Sequence, residues 1–209
     1  MTTHSIPDIH FHQGDLPDSV QFKDSVAVDT EAMGLNIHRD QLCVVQLSAG
    51  DGVCHVVQLD RKTYDAPNLK RILADPNLTK IFHFARFDVT AISKYLGVMC
   101  MPLYCTKIAS KLSRTYTDKH GLKDLCLEIL GIEISKQQQT SDWGAYELSP
   151  DQLTYAATDV LYLHKLKASL EEKIEREGRT ELAKACFDFL PVRSRLDALG
   201  FVSPDIFQH

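Results

Sequence analysis

No CxxC pair, no excess of basic residues and no long apolar run occur in this sequence of 209 residues. Each absence removes a class of function. The six cysteines (Cys43, Cys54, Cys100, Cys105, Cys126 and Cys186) fall mostly within apolar segments. Structural zinc would want paired spacing, and a disulfide framework would suit a shorter, loop-rich chain, so they read as reduced core residues. No stretch approaches the ~20 apolar residues of a membrane span. The N-terminus is polar, with histidines where a signal peptide would carry an apolar core. These features predict a cytoplasmic protein with no membrane partner. Lysine and arginine number 23 against 28 acids, a net charge of -5. That weighs against a nucleic-acid partner, because phosphate binders usually carry a basic excess. The objection is weak where carboxylates hold metal, since bound cations do not enter the count.

What is present is an ordinary globular composition, 44% hydrophobic and 24% charged, at a length that suits one domain. Its centre is Ser25-Val26-Ala27-Val28-Asp29-Thr30-Glu31. An uninterrupted Val-Ala-Val run reads as a strand buried on both faces. Side chains alternate along a strand, so Asp29 and Glu31 project together, with Thr30 opposite. Two like charges at the end of a buried strand repel, and something must neutralise them. A divalent cation is the simplest candidate, and it needs further carboxylates to complete its oxygen shell.

In chain order, residues 1–24 carry His4, His10 and His12. His10 and His12 share a face if extended, which suits either a metal clip or, more simply, an edge strand through Ile9 and Phe11. Beyond the central strand, Leu42–Leu47 and Val53–Leu59 read as strands, joined by the hairpin-type turn Ala49-Gly50-Asp51-Gly52. Three strands joined by short connections predict an antiparallel meander. Pro67–Leu73 then reads as a short helix, Lys80–Phe84 as a buried strand, Ala85–Leu96 as a helix ended by Gly97, and Met99–Tyr104 as a further strand. Helices are predicted over 105–113, 121–130, 149–175 and 178–199. The fold class is therefore α/β, a mixed sheet flanked by helices.

Asp88 lies early in the helix after the 80–84 strand, where a lone acid usually just complements the helix dipole. Tyr155 and Asp159 are four residues apart, one turn along a helical face. Taken alone they make an ordinary surface pair. Together with Asp29 and Glu31 they form an ordered set. Asp-Thr-Glu at 29–31, His83-Phe84-Ala85-Arg86-Phe87-Asp88 and Tyr155-to-Asp159 resemble, in that order, the three motifs of the DEDD superfamily of 3′→5′ exonucleases, in the branch with tyrosine in the third. Gln139-Thr140-Ser141-Asp142-Trp143, with Lys136 upstream, resembles the approach to the third motif in ribonuclease D. The resemblance covers about residues 20–170.

It implies a ribonuclease H-like sheet and two divalent cations, Mg²⁺ or Mn²⁺, bridged by Asp29. One would also be held by Glu31 and Asp159, the other mainly by Asp88. The acids would be hard oxygen ligands, which disfavours a dedicated zinc site. Tyr155 would orient the attacking water, since a phenol with pKa ≈ 10 is a poor base at neutral pH. Ala32, Met33 and Gly34 match the positions that meet the terminal nucleotide, and His83 could touch substrate. Arg86, Lys107, Lys111, Arg114, Lys119, Lys123 and Lys136 would either line the incoming phosphate backbone or decorate a solvated surface. The expected partner is the 3′ end of single-stranded RNA, with DNA and an inactive binding module as the competing readings, and a homodimer is a further expectation. Two departures stand out. Tyr146-Glu147-Leu148 occupies the place where ribonuclease D usually has Arg-Pro-Leu. The expected organisation is a single exonuclease domain over 1–209, with a helical extension at 176–209 and no HRDC module.

Overall fold

The computed structural model describes residues 7–203 and 205–207; His4 lies outside them. Six strands form one mixed sheet: β1 (Asp8–Gln13), β2 (Ser25–Ala32), β3 (Leu42–Ser48), β4 (Val53–Gln58), β5 (Thr79–Phe82) and β6 (Leu103–Cys105). Their spatial order is β1-β4-β3-β2-β5-β6. The predicted meander is there, since β2–β3 and β3–β4 are antiparallel. The outer pairs β1–β4, β2–β5 and β5–β6 are parallel.

The central position of β2 follows from its composition. Val26, Ala27 and Val28 have no polar group to satisfy and are fully buried, while its neighbour β3 is buried along its whole length. The pairing of β2 with β3 slips between Glu31 and Ala32. Such a bulge bends the strand and re-aims the chain just after the two acids.

Among the described residues, seven helices cover the sheet: α1 (Pro67–Ala74), α2 (Ala85–Leu96), α3 (Thr106–Ser113), α4 (Leu122–Leu125), α5 (Pro150–Leu161), α6 (Leu163–Arg176) and α7 (Thr180–Ala198), with a π-helical turn at Cys126–Leu130 extending α4. The single helix predicted for 149–175 is two helices. Tyr162, at φ -103° and ψ -6°, separates them without a glycine or proline. The break has a tertiary cause: α5 lies against β2, β3 and β4, whereas α6 turns to meet α3. The strand predicted for 99–104 shrinks to Leu103–Cys105, because Pro102 has no N–H to give a ladder. α7 packs along α2, so the apolar 182–199 segment buries part of its surface against the helix that carries Asp88.

Candidate active site

β2 and α5 bring three acids together. One carboxylate oxygen from each of Asp29, Glu31 and Asp159 falls in a cluster whose members lie within 4.8 Å of one another. Asp29 and Glu31 reach it through the two-residue strand period, Asp159 from a helix laid across the sheet. The start of that helix is strongly fixed. Ser149 Oγ accepts from Gln152 N at 3.2 Å, the Gln152 side chain accepts from Ser149 N at 2.9 Å, and Pro150 occupies the first turn. Gln152 Nε2 also donates to Ser141 Oγ and to the Asp142 carbonyl, both at 3.1 Å. This anchors the loop that carries Trp143, whose buried ring lies 6.0 Å from that of Tyr155. The resemblance at 139–143 thus has a physical content: the segment walls Tyr155 against the site.

Asp88 stands just outside the cluster, buried at the start of α2. Thr30, on the opposite face of β2 from its neighbours, donates its hydroxyl to Asp88 Oδ1 at 2.6 Å. Asp29 is held similarly, Gln46 Nε2 donating to its Oδ2 at 3.0 Å from the facing position on β3. The other end of that amide, Gln46 Oε1, is buried and without a hydrogen-bond partner.

The electrostatics are those of crowded acids. Burial first, then the charges of Asp88, Asp159 and Glu31, push Asp29 well above the usual carboxylate range. Glu31 is raised by burial and by Asp159 and Asp88. Burial pushes Asp88 up to about 7 despite the Thr30 hydroxyl, and Asp159 up to about 7 despite the Tyr155 hydroxyl and Lys136. Burial and the charges of Asp159, Glu31 and Asp29 move the Tyr155 phenol far above its ordinary value. With the acids unneutralised by metal, these surroundings favour the protonated, hydrogen-bond-donating form of Tyr155. The set fits a divalent cation: hard oxygen donors, converging, and short of positive charge at neutral pH.

The predicted substrate-side residues divide. Ala32, Met33 and Gly34 follow the bulge, with Met33 half exposed at the rim. At Gly34 a Cβ would collide with the Asp40 carboxylate, so a side chain there displaces that acid from Arg39 and the Asn36 N–H. Lys136 is exposed, and its charge reaches both Asp159 and His83. His83 has its pKa pushed down to about 3 by burial, then by Lys107 and Lys136. The single hydroxyl proton of Thr106 goes to the Phe82 carbonyl at 3.2 Å, so His83 Nδ1 donates to Thr106 Oγ1 at 2.9 Å. That leaves Nε2 as a neutral acceptor.

Two of the predicted cations are not free to meet a phosphate. Arg86 donates twice to Asp197 of α7, at 2.6 and 2.7 Å. Arg114 is fully buried, bonded to Glu128, Ser110 Oγ and the Lys119 carbonyl. Lys123 pairs with Glu133 at 3.5 Å. Of the seven, Lys107, Lys111, Lys119 and Lys136 have no acidic partner among the described residues, and Lys111 and Lys136 stand near enough to Lys107 to lower its pKa after burial. Sequence reasoning passed over Gln46, Thr30 and Arg61. A glutamine inside the otherwise apolar run Leu42–Leu47 was the available signal for the first. Arg61 sits on the rim, donating to the Gly144 carbonyl at 2.7 Å and to Met33 Sδ at 3.3 Å. It brings a guanidinium to the loop after Trp143, the neighbourhood in which ribonuclease D carries its own arginine.

A family model described as 3′-5′ exonuclease matches residues 11–175. The chain belongs to that family. Among curated relatives, ribonuclease D of Acidiphilium cryptum is 34% identical over 156 residues, and that of Escherichia coli 31% over 165. Those alignments take in 75% and 78% of this chain but only 39% and 43% of the relatives' length. Solved structures match over a longer reach. Brucella melitensis NrnC with bound Mg²⁺ superposes with a TM-score of 0.91 at 56% identity, covering 97% of this chain and 99% of that one. Brucella melitensis NrnC bound to pGG gives 0.93 at 56% over the same shares. Escherichia coli RNase D gives 0.72 at 26%, covering 83% of this chain and 45% of that one. The chain is thus an RNase D-like member of the DEDD exonucleases.

Proposed function

We propose that this protein is a metal-dependent 3′→5′ exoribonuclease that hydrolyses the terminal phosphodiester of short single-stranded RNA and releases nucleoside 5′-monophosphates. The observation that carries the reading is the convergence of Asp29, Glu31 and Asp159 on one small volume, beside Asp88 and under the Tyr155 hydroxyl. Asp29, Glu31 and Asp159 would hold one cation, and Asp29 with Asp88 a second. Mg²⁺ in a Brucella relative supports the metal class, and pGG in another structure of that relative supports a short ribonucleotide as substrate. Two such cations, when bound, supply the Lewis acidity that activates water and offsets charge on the leaving 3′-oxygen.

The chain's own residues do the rest. Tyr155, kept protonated by its surroundings, donates a hydrogen bond and so orients the attacking water. Gln46 and Thr30 fix the Asp29 and Asp88 carboxylates, so little reorganisation is needed when the substrate arrives. Lys136, Lys107 and Arg61 offer positive charge at the rim, and neutral His83 offers an acceptor nitrogen. The water oxygen bonds to phosphorus and gives its proton to solvent, the bond to the 3′-oxygen breaks, and that oxygen takes up a proton from solvent.

The test is digestion of 5′-labelled pGG, a longer single-stranded RNA and its DNA counterpart, each with Mg²⁺, with Mn²⁺ and with chelator. The expected result is stepwise shortening of RNA from the 3′ end, 5′-monophosphate products, and none with chelator. Release of the 5′ label first from the longer RNA, or full activity in chelator, contradicts the proposal.

A further inference from the structure

Three imidazoles meet at the β1 edge of the sheet, on the face turned away from the carboxylates. β1 and β4 run parallel, with His10 opposite His55 and His12 opposite Val57. Cross-strand partners project to the same side and residues two apart do likewise, so His10, His12 and His55 share a face. Followed across the sheet, His55 faces Leu47 and Leu47 faces Val28, whereas Asp29 faces Gln46 and Gln46 faces Val56. Asp29 therefore projects from the other side.

The ring centroid of His55 is 5.3 Å from that of His10 and 5.2 Å from that of His12. His12 Nε2 lies 3.0 Å from His55 Nδ1. Two imidazole nitrogens bound to one tetrahedral Zn²⁺ at 2.0–2.1 Å stand about 3.3 Å apart. The observed pair thus needs to open by a few tenths of an ångström and turn its rings so that both lone pairs aim at one point, exchanging the shared proton for a cation. Burial, then the charges of neighbouring histidines, hold both rings below the ordinary histidine value, so they are neutral at pH 7. Around them, Asp8 lies 3.3 Å from His10 Nε2, the charges of Asp8 and Asp51 reach His55, and the Phe22 edge meets the His55 ring at 6.1 Å.

We propose that His10, His12 and His55 form a site for a divalent transition metal of the imidazole-preferring class, Zn²⁺ above all. His12 and His55 supply the preformed pair of ligands, and His10 swings in as the third. Mg²⁺ and Mn²⁺, which favour oxygen, are poor occupants. The bound ion staples the edge strand β1 to β4, well away from the reaction.

The experiment is calorimetric titration of the untagged full chain with ZnCl₂ at pH 7.5 in excess Mg²⁺, alongside thermal melts. The wild type takes up Zn²⁺ and melts at a higher temperature with it. The His12→Gln/His55→Gln double variant binds at least about tenfold more weakly and loses the gain in melting temperature, while its cleavage of RNA in Mg²⁺ is unchanged. The single change His10→Gln gives a smaller loss. An imidazole ¹⁵N NMR titration of the wild type reads the site without any variant, with Zn²⁺ shifting the rings of these three histidines. Identical isotherms for wild type and double variant, or rings that do not respond to Zn²⁺, overturn the proposal.

Discussion

The carboxylates at the end of β2 and the cations around them are held in opposite ways. Asp29, Glu31 and Asp159 face one another with no lysine or arginine paired to them among the described residues. Their neutral neighbours orient them: Gln46 holds Asp29, and Thr30 holds Asp88. Arg86 and Arg114, by contrast, are locked onto Asp197 and Glu128 and serve the packing of α7 and of the π-helical turn. Like charges assembled without a counter-charge keep a demand for a cation, whereas paired charges have none left to offer a substrate. The molecule thus leaves its acids unpaired and uses much of its nearby positive charge for structure.

The comparison breaks most readily on the acidic side. Asp88→Asn should abolish cleavage while circular dichroism and cooperative melting persist, because it removes one of four crowded charges and needs no new partner. Near wild-type turnover would remove Asp88 from the site. Tyr155→Phe should lower turnover by ~10²–10⁴-fold with little change in Mg²⁺ affinity. A variant pH–rate profile lacking an ionisation seen in the wild type would make Tyr155 a base. Gln46→Ala should cost about 10–100-fold in metal affinity or activity, the usual effect of freeing a ligand from its support. Calorimetric Mg²⁺ titration beside kinetics separates the two.

The smallest effects lie on the cationic side. Lys136→Ala should raise KM about two- to fivefold, as expected of an exposed charge pair, and leave melting unchanged. Arg86→Ala should do the reverse, leaving KM alone and lowering the melting temperature by about 2–8 °C through loss of its charge-assisted bonds to Asp197. If Arg86→Ala raised KM more than Lys136→Ala did, the two cations would exchange roles.

How far the site could be read from the sequence follows from distance along the chain. Asp29 and Glu31 are neighbours through the strand period, and Tyr155 and Asp159 through the helical turn, so a local pattern brings each pair together. The mixed sheet was legible for the same reason, its strands being short apolar runs between glycine-rich turns. The fate of Arg86 was not. Its partner Asp197 lies 111 residues away and depends on how α7 packs on α2. Thr30 likewise meets Asp88 across 58 residues. The division at Tyr162 was hidden because its residues favour a helix, and only the diverging contacts of α5 and α6 impose it.

The central claim is that the clustered acids hold a divalent cation, and thermal melting of the wild type from pH 6.5 to 8, with and without Mg²⁺, tests it most directly. Histidines whose pKa is lowered add stability as pH rises through 6.5, and by about 7.5 their contribution is complete, so the upper half of the window reads the acids alone. The carboxylates act in the opposite sense. Asp88 and Asp159 titrate near 7 in the folded chain and near 4 when unfolded, so the stability contributed by their protonation is full below about 4 and is lost as pH rises through 7. The metal-free protein should therefore melt at progressively lower temperature across this window. Excess Mg²⁺ should raise the melting temperature most at pH 8 and largely remove the slope. The same slope with and without Mg²⁺, or a metal-free melting temperature that climbs with pH, would contradict the account.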